Sequence, residues 1–129
     1  MRFNYQYFEG KFLPIIPLKL RGKERWFEFN TYLDSGASYS LFHADIAEIL
    51  GIDLQNGRPE ELTIGDGDKL KVILHSVLVN IAGKEYPITV GFSKDLGTGF
   101  NILGRRDIFE KFIICFHEKD RFIEFTEDT

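Results

Sequence analysis

The chain has 129 residues, 43% of them hydrophobic, enough to bury one core, and no Ser/Pro/Gly-rich linker divides it, so a single domain over residues 1–129 is expected. Sixteen basic and twenty acidic residues leave a net charge of −4, and Lys19, Arg21, Lys23 and Arg25 alternate with apolar residues or stand beside acids instead of forming a stripe, which argues against nucleic acid as a partner. The opening MRFNYQYFEG has no uninterrupted apolar run, FLPIIPL is broken by Pro14 and Pro17, and the single cysteine, Cys115, lies in the apolar run FIICF; no membrane segment, a buried structural thiol and a reducing, cytoplasmic setting are the expectations.

In chain order, alternating or continuously apolar segments rich in Phe, Ile, Val, Leu and Tyr predict strands at about 15–21, 25–33, 69–81, 85–92, 99–103, 111–117 and 121–125. The fold class is mostly β. Short turn signals stand between several of them, at Arg21-Gly22-Lys23, Gly65-Asp66-Gly67-Asp68, Ala82-Gly83-Lys84 and His117-Glu118-Lys119-Asp120, so consecutive antiparallel pairing is the default. Two short helices are predicted. HADIAEIL would bury Ile46, Ile49 and Leu50 and stop at Gly51, and RRDIFEKF would bury Ile108, Phe109 and Phe112.

The informative stretch is YLDSGASYSLF, residues 32–42. Asp, Ser and Gly are common turn residues, and a lone Asp34-Ser35-Gly36 reads most simply as a turn. Here, however, Tyr32-Leu33 precede it and Ala37 and Leu41-Phe42 follow, so its carboxylate sits against apolar material and needs a partner that the neighbouring sequence does not supply. Farther on, in GFNILGRRDIF, an apolar strand ends at Leu103-Gly104.

With these segments together, the chain resembles the retropepsin-like aspartic proteases, the single-domain class that includes retroviral proteases and related small cellular proteins. Asp34-Ser35-Gly36-Ala37 is similar to the family's Asp-Thr/Ser-Gly-Ala active-site loop, and Ile102-Leu103-Gly104-Arg105 to the hydrophobic-hydrophobic-Gly element that packs behind it in a psi-shaped loop. LTIGDGDKLKVILHSVLV stands where the family keeps its flap, a hairpin that closes over bound peptide, with Gly65, Asp66 and Gly67 at or near the tip. The resemblance spans roughly residues 12–125 and implies a mostly β fold, a closed barrel half with flap hairpin, psi loop and two short helices.

It also implies a mechanism. Two aspartates hold one water; one carboxylate takes its proton while the protonated partner polarises the scissile carbonyl, and like charges about 3 Å apart cannot both ionise. The chain has one Asp-Ser-Gly, so the resemblance implies a homodimer that pairs two copies of Asp34 and acts on peptide or protein substrates. Ser35 would hydrogen-bond across the dimer axis, Gly36 would let substrate backbone approach, and Ala37 would leave room beside the dyad. The chain departs from retroviral members at Ser38, where an acid commonly pairs with the Arg at the position of Arg105, and at the tip, where Asp66 and Asp68 replace more apolar residues. A peptide-binding or assembly module with the same fold and no useful hydrolysis is the competing reading.

Other chemistries find less support. No Gly-x-Ser-x-Gly elbow joins Ser35, Ser38 or Ser40 to His43, His75 or His117, DGDKLKV lacks the remaining calcium-ligand spacing, and no His/Cys set has zinc spacing. GTGFNILG lacks the glycine spacing of a phosphate cradle. Neither cofactor nor metal is expected.

Overall fold

The computed structural model describes residues 1–65, 67–97 and 99–129. Twelve strands dominate it: β1 (Arg2–Asn4), β2 (Gln6–Phe8), β3 (Lys11–Leu13), β4 (Ile15–Arg21), β5 (Trp26–Leu33), β6 (Ser40–His43), β7 (Arg58–Thr63), β8 (Lys69–Ile81), β9 (Lys84–Ser93), β10 (Asn101–Leu103), β11 (Phe112–His117) and β12 (Phe122–Glu127). One α-helix, α1 (Ala44–Leu50), and a 3-10 turn at Leu54–Asn56 complete the regular elements. The class is mostly β, as the apolar alternation implies.

Seven strands form one sheet in the order β4-β5-β10-β6-β9-β8-β7, and it curls until β4 also pairs with β8 through Lys19↔Asn80 and Leu20↔Val79. Curling encloses the core: Ile16, Leu20, Leu33, Phe42, Val79, Val90 and Leu103 are almost fully buried. Besides that contact with β4, the thirteen-residue β8 pairs with β9 along Ile73–Ile81 and with β7 along Lys69–Leu74. Its β9 turn is the two-residue Ala82-Gly83, with φ of 50° and 80°, the left-handed pair that matches the twist of a tight hairpin.

The second sheet, β1-β12-β11, joins the two ends of the chain, pairing Arg2 with Glu124 and Phe112 with Glu127. Its inner face is aromatic. Phe125 lies edge-on to Phe3 and to Phe112, each at 5.3 Å between ring centroids, and this stack fixes the sheet to the core. A third ribbon, β2-β3, turns at Glu9-Gly10 and leaves Tyr7, Phe8 and Phe12 exposed.

Helix α1 ends in a left-handed Gly51 whose N–H donates to the Glu48 carbonyl, while the Ile52 N–H donates to that of Ala47, a Schellman cap. It buries Ile46, Ala47 and Leu50; Ile49, expected inside, is exposed. The second expected helix is absent. Residues 105–111 form consecutive turns because Asp107 takes φ 66°, which interrupts a right-handed helix. That conformation is held from three sides: Asp107 accepts from the Thr89 N–H (2.8 Å) and the Tyr86 hydroxyl (2.8 Å), and its own N–H donates to Glu110 (2.9 Å). Burial, then the Asp107 and Glu110 charges, hold the Tyr86 phenol above its ordinary pKa, so it stays a donor. Cys115 also departs from expectation: among the described residues β11 pairs on one side only, and its thiol is exposed.

Candidate active site

Asp34 follows the last residue of β5, whose alternation buries Leu33 and leaves Asp34 half-buried at the sheet's end. The chain next to it is held by long-range backbone bonds. Asp34 N–H donates to the Leu103 carbonyl (3.0 Å), and Leu33 N–H to that of Pro14 (3.0 Å). The loop then closes on itself, with Ala37 N–H donating to the Asp34 carbonyl (3.2 Å) and Gly36 N–H to Asp34 Oδ1 (2.8 Å). Among the described residues Asp34 Oδ2 has no hydrogen-bond partner, so one carboxylate oxygen is held by the loop and the other is not.

β10 makes this geometry. It runs parallel to β5, pairing Ile102 with Tyr32, and antiparallel to β6, pairing Ile102 with Leu41, so it lies between the two strands that the Asp34 loop joins. Consecutive antiparallel pairing, the default from the turn signals, fails here and at the parallel β6–β9 ladder. Gly104 is the contact point. A Cβ there would run into the Tyr39 carbonyl and come within 2.9 Å of that of Ala37, so only glycine lets the two loops cross. Beyond it, Arg105 and Arg106 N–H groups donate to the Ala37 and Ser38 carbonyls (2.9 and 3.0 Å), and the buried Ser40 hydroxyl accepts from the Gly104 N–H (3.1 Å).

A cleft of about 570 Å³ opens beside Asp34. Gly36, Ala37, Gly65 and Ile102 line it, whereas Leu103 and Gly104 are buried behind it and Ser35 faces a separate notch. Gly67, at φ 90°, lies in the β7–β8 connection away from the lining, and Asp66 is outside the described residues. Arg105 is exposed and makes no ion pair among the described residues, Ser38 offering no charge to receive it. The sequence reading placed Leu41 near Asp34 but missed Tyr39, Leu62, Leu70 and Leu96, which with Leu41 give the cleft its apolar wall, and Asp95, its second carboxylate. β7 has no alternation to mark Leu62, and only the register that pairs it with Leu70 shows that the two share a face.

A cleft of equal volume lies behind the β7–β8 hairpin, between Leu54, Pro59, Lys71, Phe92 and Lys94; it contains none of the Asp34 loop. The notch, about 330 Å³, is bounded by Asp34, Ser35, Tyr5, Phe12, Phe116 and Glu118. Tyr5 hydroxyl donates to Glu118 Oε1 (2.9 Å), and burial followed by that bond raises the phenol to about 12. Among the described residues no His/Cys/Asp/Glu cluster is arranged to hold a metal ion.

The sequence matches no protein-family model and no curated protein. Solved structures do match the fold. A retropepsin-like aspartic protease from Rickettsia conorii superposes with a TM-score of 0.69 at 21% identity, covering 96% of this chain and 98% of that one. EIAV protease, complexed with the inhibitor HBY-793, superposes at 0.56 and 20% identity, covering 81% and 92%. With β10 crossing behind the Asp34 loop and a hairpin arm along the cleft, the chain has the fold of the retropepsin-like aspartic proteases.

Proposed function

We propose that the chain is an aspartic endopeptidase that acts as a homodimer, with one Asp34 from each copy holding the water that attacks a peptide bond. The observation that supports it is the state of the Asp34 carboxylate: Oδ1 is held by the Gly36 N–H, and the side chain stands at the edge of an apolar cleft bounded by the Ala37 loop and the hairpin arm at Leu62–Gly65. One chain supplies one such carboxyl. A two-fold axis beside it brings a second, and the pair shares a proton because adjacent carboxylates cannot both ionise.

The substrate in this reading is an extended peptide whose apolar side chains occupy the wall formed by Leu41, Leu62, Leu70 and Ile102, covered by the β7–β8 hairpin acting as a flap. Ile64, 40% exposed beside the cleft, is the apolar group that such a peptide would cover.

The test is cleavage of a peptide library by the parent and by Asp34→Asn over a range of pH. The parent rate should fall on both sides of an optimum, since the singly protonated pair is the working form. Asp34→Asn should keep its fold and lose at least about 100-fold in rate, because an amide cannot take the proton of the attacking water. Equal cleavage by both proteins removes the assignment, and no cleavage by the parent favours a peptide-binding module.

A further inference from the structure

We infer that Asp95 is a specificity-determining residue, and that the preferred substrate is a peptide with a Lys or Arg on each side of the apolar residues at its scissile bond, one basic side chain for each Asp95 of a dimer. The inference rests on reading Asp34 as half of a dyad and names the class of peptide that such a dyad would receive.

The cleft beside Asp34 is one-sided in charge. Among the described residues that line it, Asp34 and Asp95 are acids, and no Lys, Arg or His joins them. Lys69, at the start of β8, is bonded to the Thr63 hydroxyl (2.9 Å) and is not part of the lining. Two Asp34 carboxyls share a proton in the working form, but two copies of Asp95 share none, so the cleft keeps a negative charge on either side of the dyad. An entirely apolar peptide would fill the wall and leave those charges unanswered.

The place of Asp95 is set by its neighbours. β9 ends at Ser93, whose buried hydroxyl accepts from the Asp95 N–H (3.1 Å), and the next residue, Leu96, is buried in the cleft wall. Between these anchors the Asp95 side chain is exposed, and among the described residues its carboxylate has neither a hydrogen bond nor an ion pair. Lys71 and Lys94 stand with it around the rear cleft, yet neither lies within ion-pair distance of it. Such a carboxylate serves no contact of the fold. Positioned at the rim of an apolar cleft, it attracts a cation with little ordering of its own, and Lys or Arg suits it because the long stem covers apolar surface while the charged head stays in water.

Peptides apolar at the centre, carrying Lys or Glu at each flanking position in turn, provide the test. For the parent, Lys should exceed Glu about tenfold in kcat/KM at one position on each side of the bond, since attraction and repulsion at an exposed carboxylate are each worth on the order of threefold. High salt should shrink the ratio. Asp95→Asn should flatten it and Asp95→Lys reverse it, whereas Glu48→Lys, an equal change of charge on the exposed face of α1, should keep it. A parent without the ranking, a ranking that survives both Asp95 variants, or one that Glu48→Lys abolishes equally would overturn the inference; should Asp95→Lys unfold, the isosteric Asp95→Asn decides. The same peptides, fluorescently labelled, are titrated against Asp34→Asn by anisotropy. Cleavage without the ranking removes the inference and keeps the protease, binding with the ranking but no cleavage by the parent does the reverse, and peptides neither bound nor cleaved overturn both.

Discussion

β7 and β11 are both six-residue strands at the end of a sheet, and their sequences are opposites. β7 reads RPEELT: Pro59 has no N–H to offer a newcomer, and Arg58, Glu60 and Glu61 would have to give up their water to be paired. β11 reads FIICFH and has neither device. Backbone geometry is therefore a poor guide to which edge of a sheet is sticky; side-chain chemistry decides. β7 contributes Leu62 and Thr63 to the wall of the cleft, whereas β11 contributes Phe116 to the notch beside Asp34.

The contrast can be broken most severely at the seat of β11. Phe125→Ala removes the ring wedged between Phe3 and Phe112 and should cost about 3–5 kcal/mol in urea unfolding. A loss below about 1 kcal/mol would mean that β11 does not depend on that stack. The next test removes the guard on the other edge. Pro59→Thr/Glu60→Val should leave stability within about 0.5 kcal/mol of the parent while making light scattering rise with concentration, association strengthening about tenfold. Unchanged scattering would show that Pro59 and Glu60 are not what keeps β7 alone.

The smallest effect sharpens the comparison at the Tyr5–Glu118 bond, a brace beside β11. The Tyr5 phenol is raised from 10.0 to about 12 by burial and then by Glu118, so its contribution to stability is whole below pH 10 and lost as pH rises through about 12. Tyr5→Phe should be about 1 kcal/mol less stable at neutral pH and should lose less than the parent between these limits. Parallel stability curves for the two proteins would refute that linkage.

Strands with clear alternation were legible from the residues alone: 15–21 and 69–81 match β4 and β8 end to end, because one face of each enters the core. β1, β2 and β3 are three residues each and mostly exposed, and β7 is polar on both faces, so neither group carries a period to read. The helical pattern at 105–112 was overridden by the left-handed Asp107, whose partners Tyr86 and Thr89 are distant in sequence. Cys115 was misplaced for a related reason: an apolar run does not reveal that its strand has a free side. Of the site, Asp34 was visible through its motif, whereas Tyr39, Asp95 and Leu96 reach the cleft only through the fold.

The bond from the Asp34 N–H to the Leu103 carbonyl also bears on when the site can exist. β5 and β10 are neighbours in space but far apart along the chain, and β1 waits still longer for β12. Pairings of such long separation form slowly, since the intervening chain must be ordered before they return any stabilisation. During synthesis the Asp34 loop therefore emerges long before the strand that braces it, and the cleft beside it cannot take its final form until β10 has followed and paired.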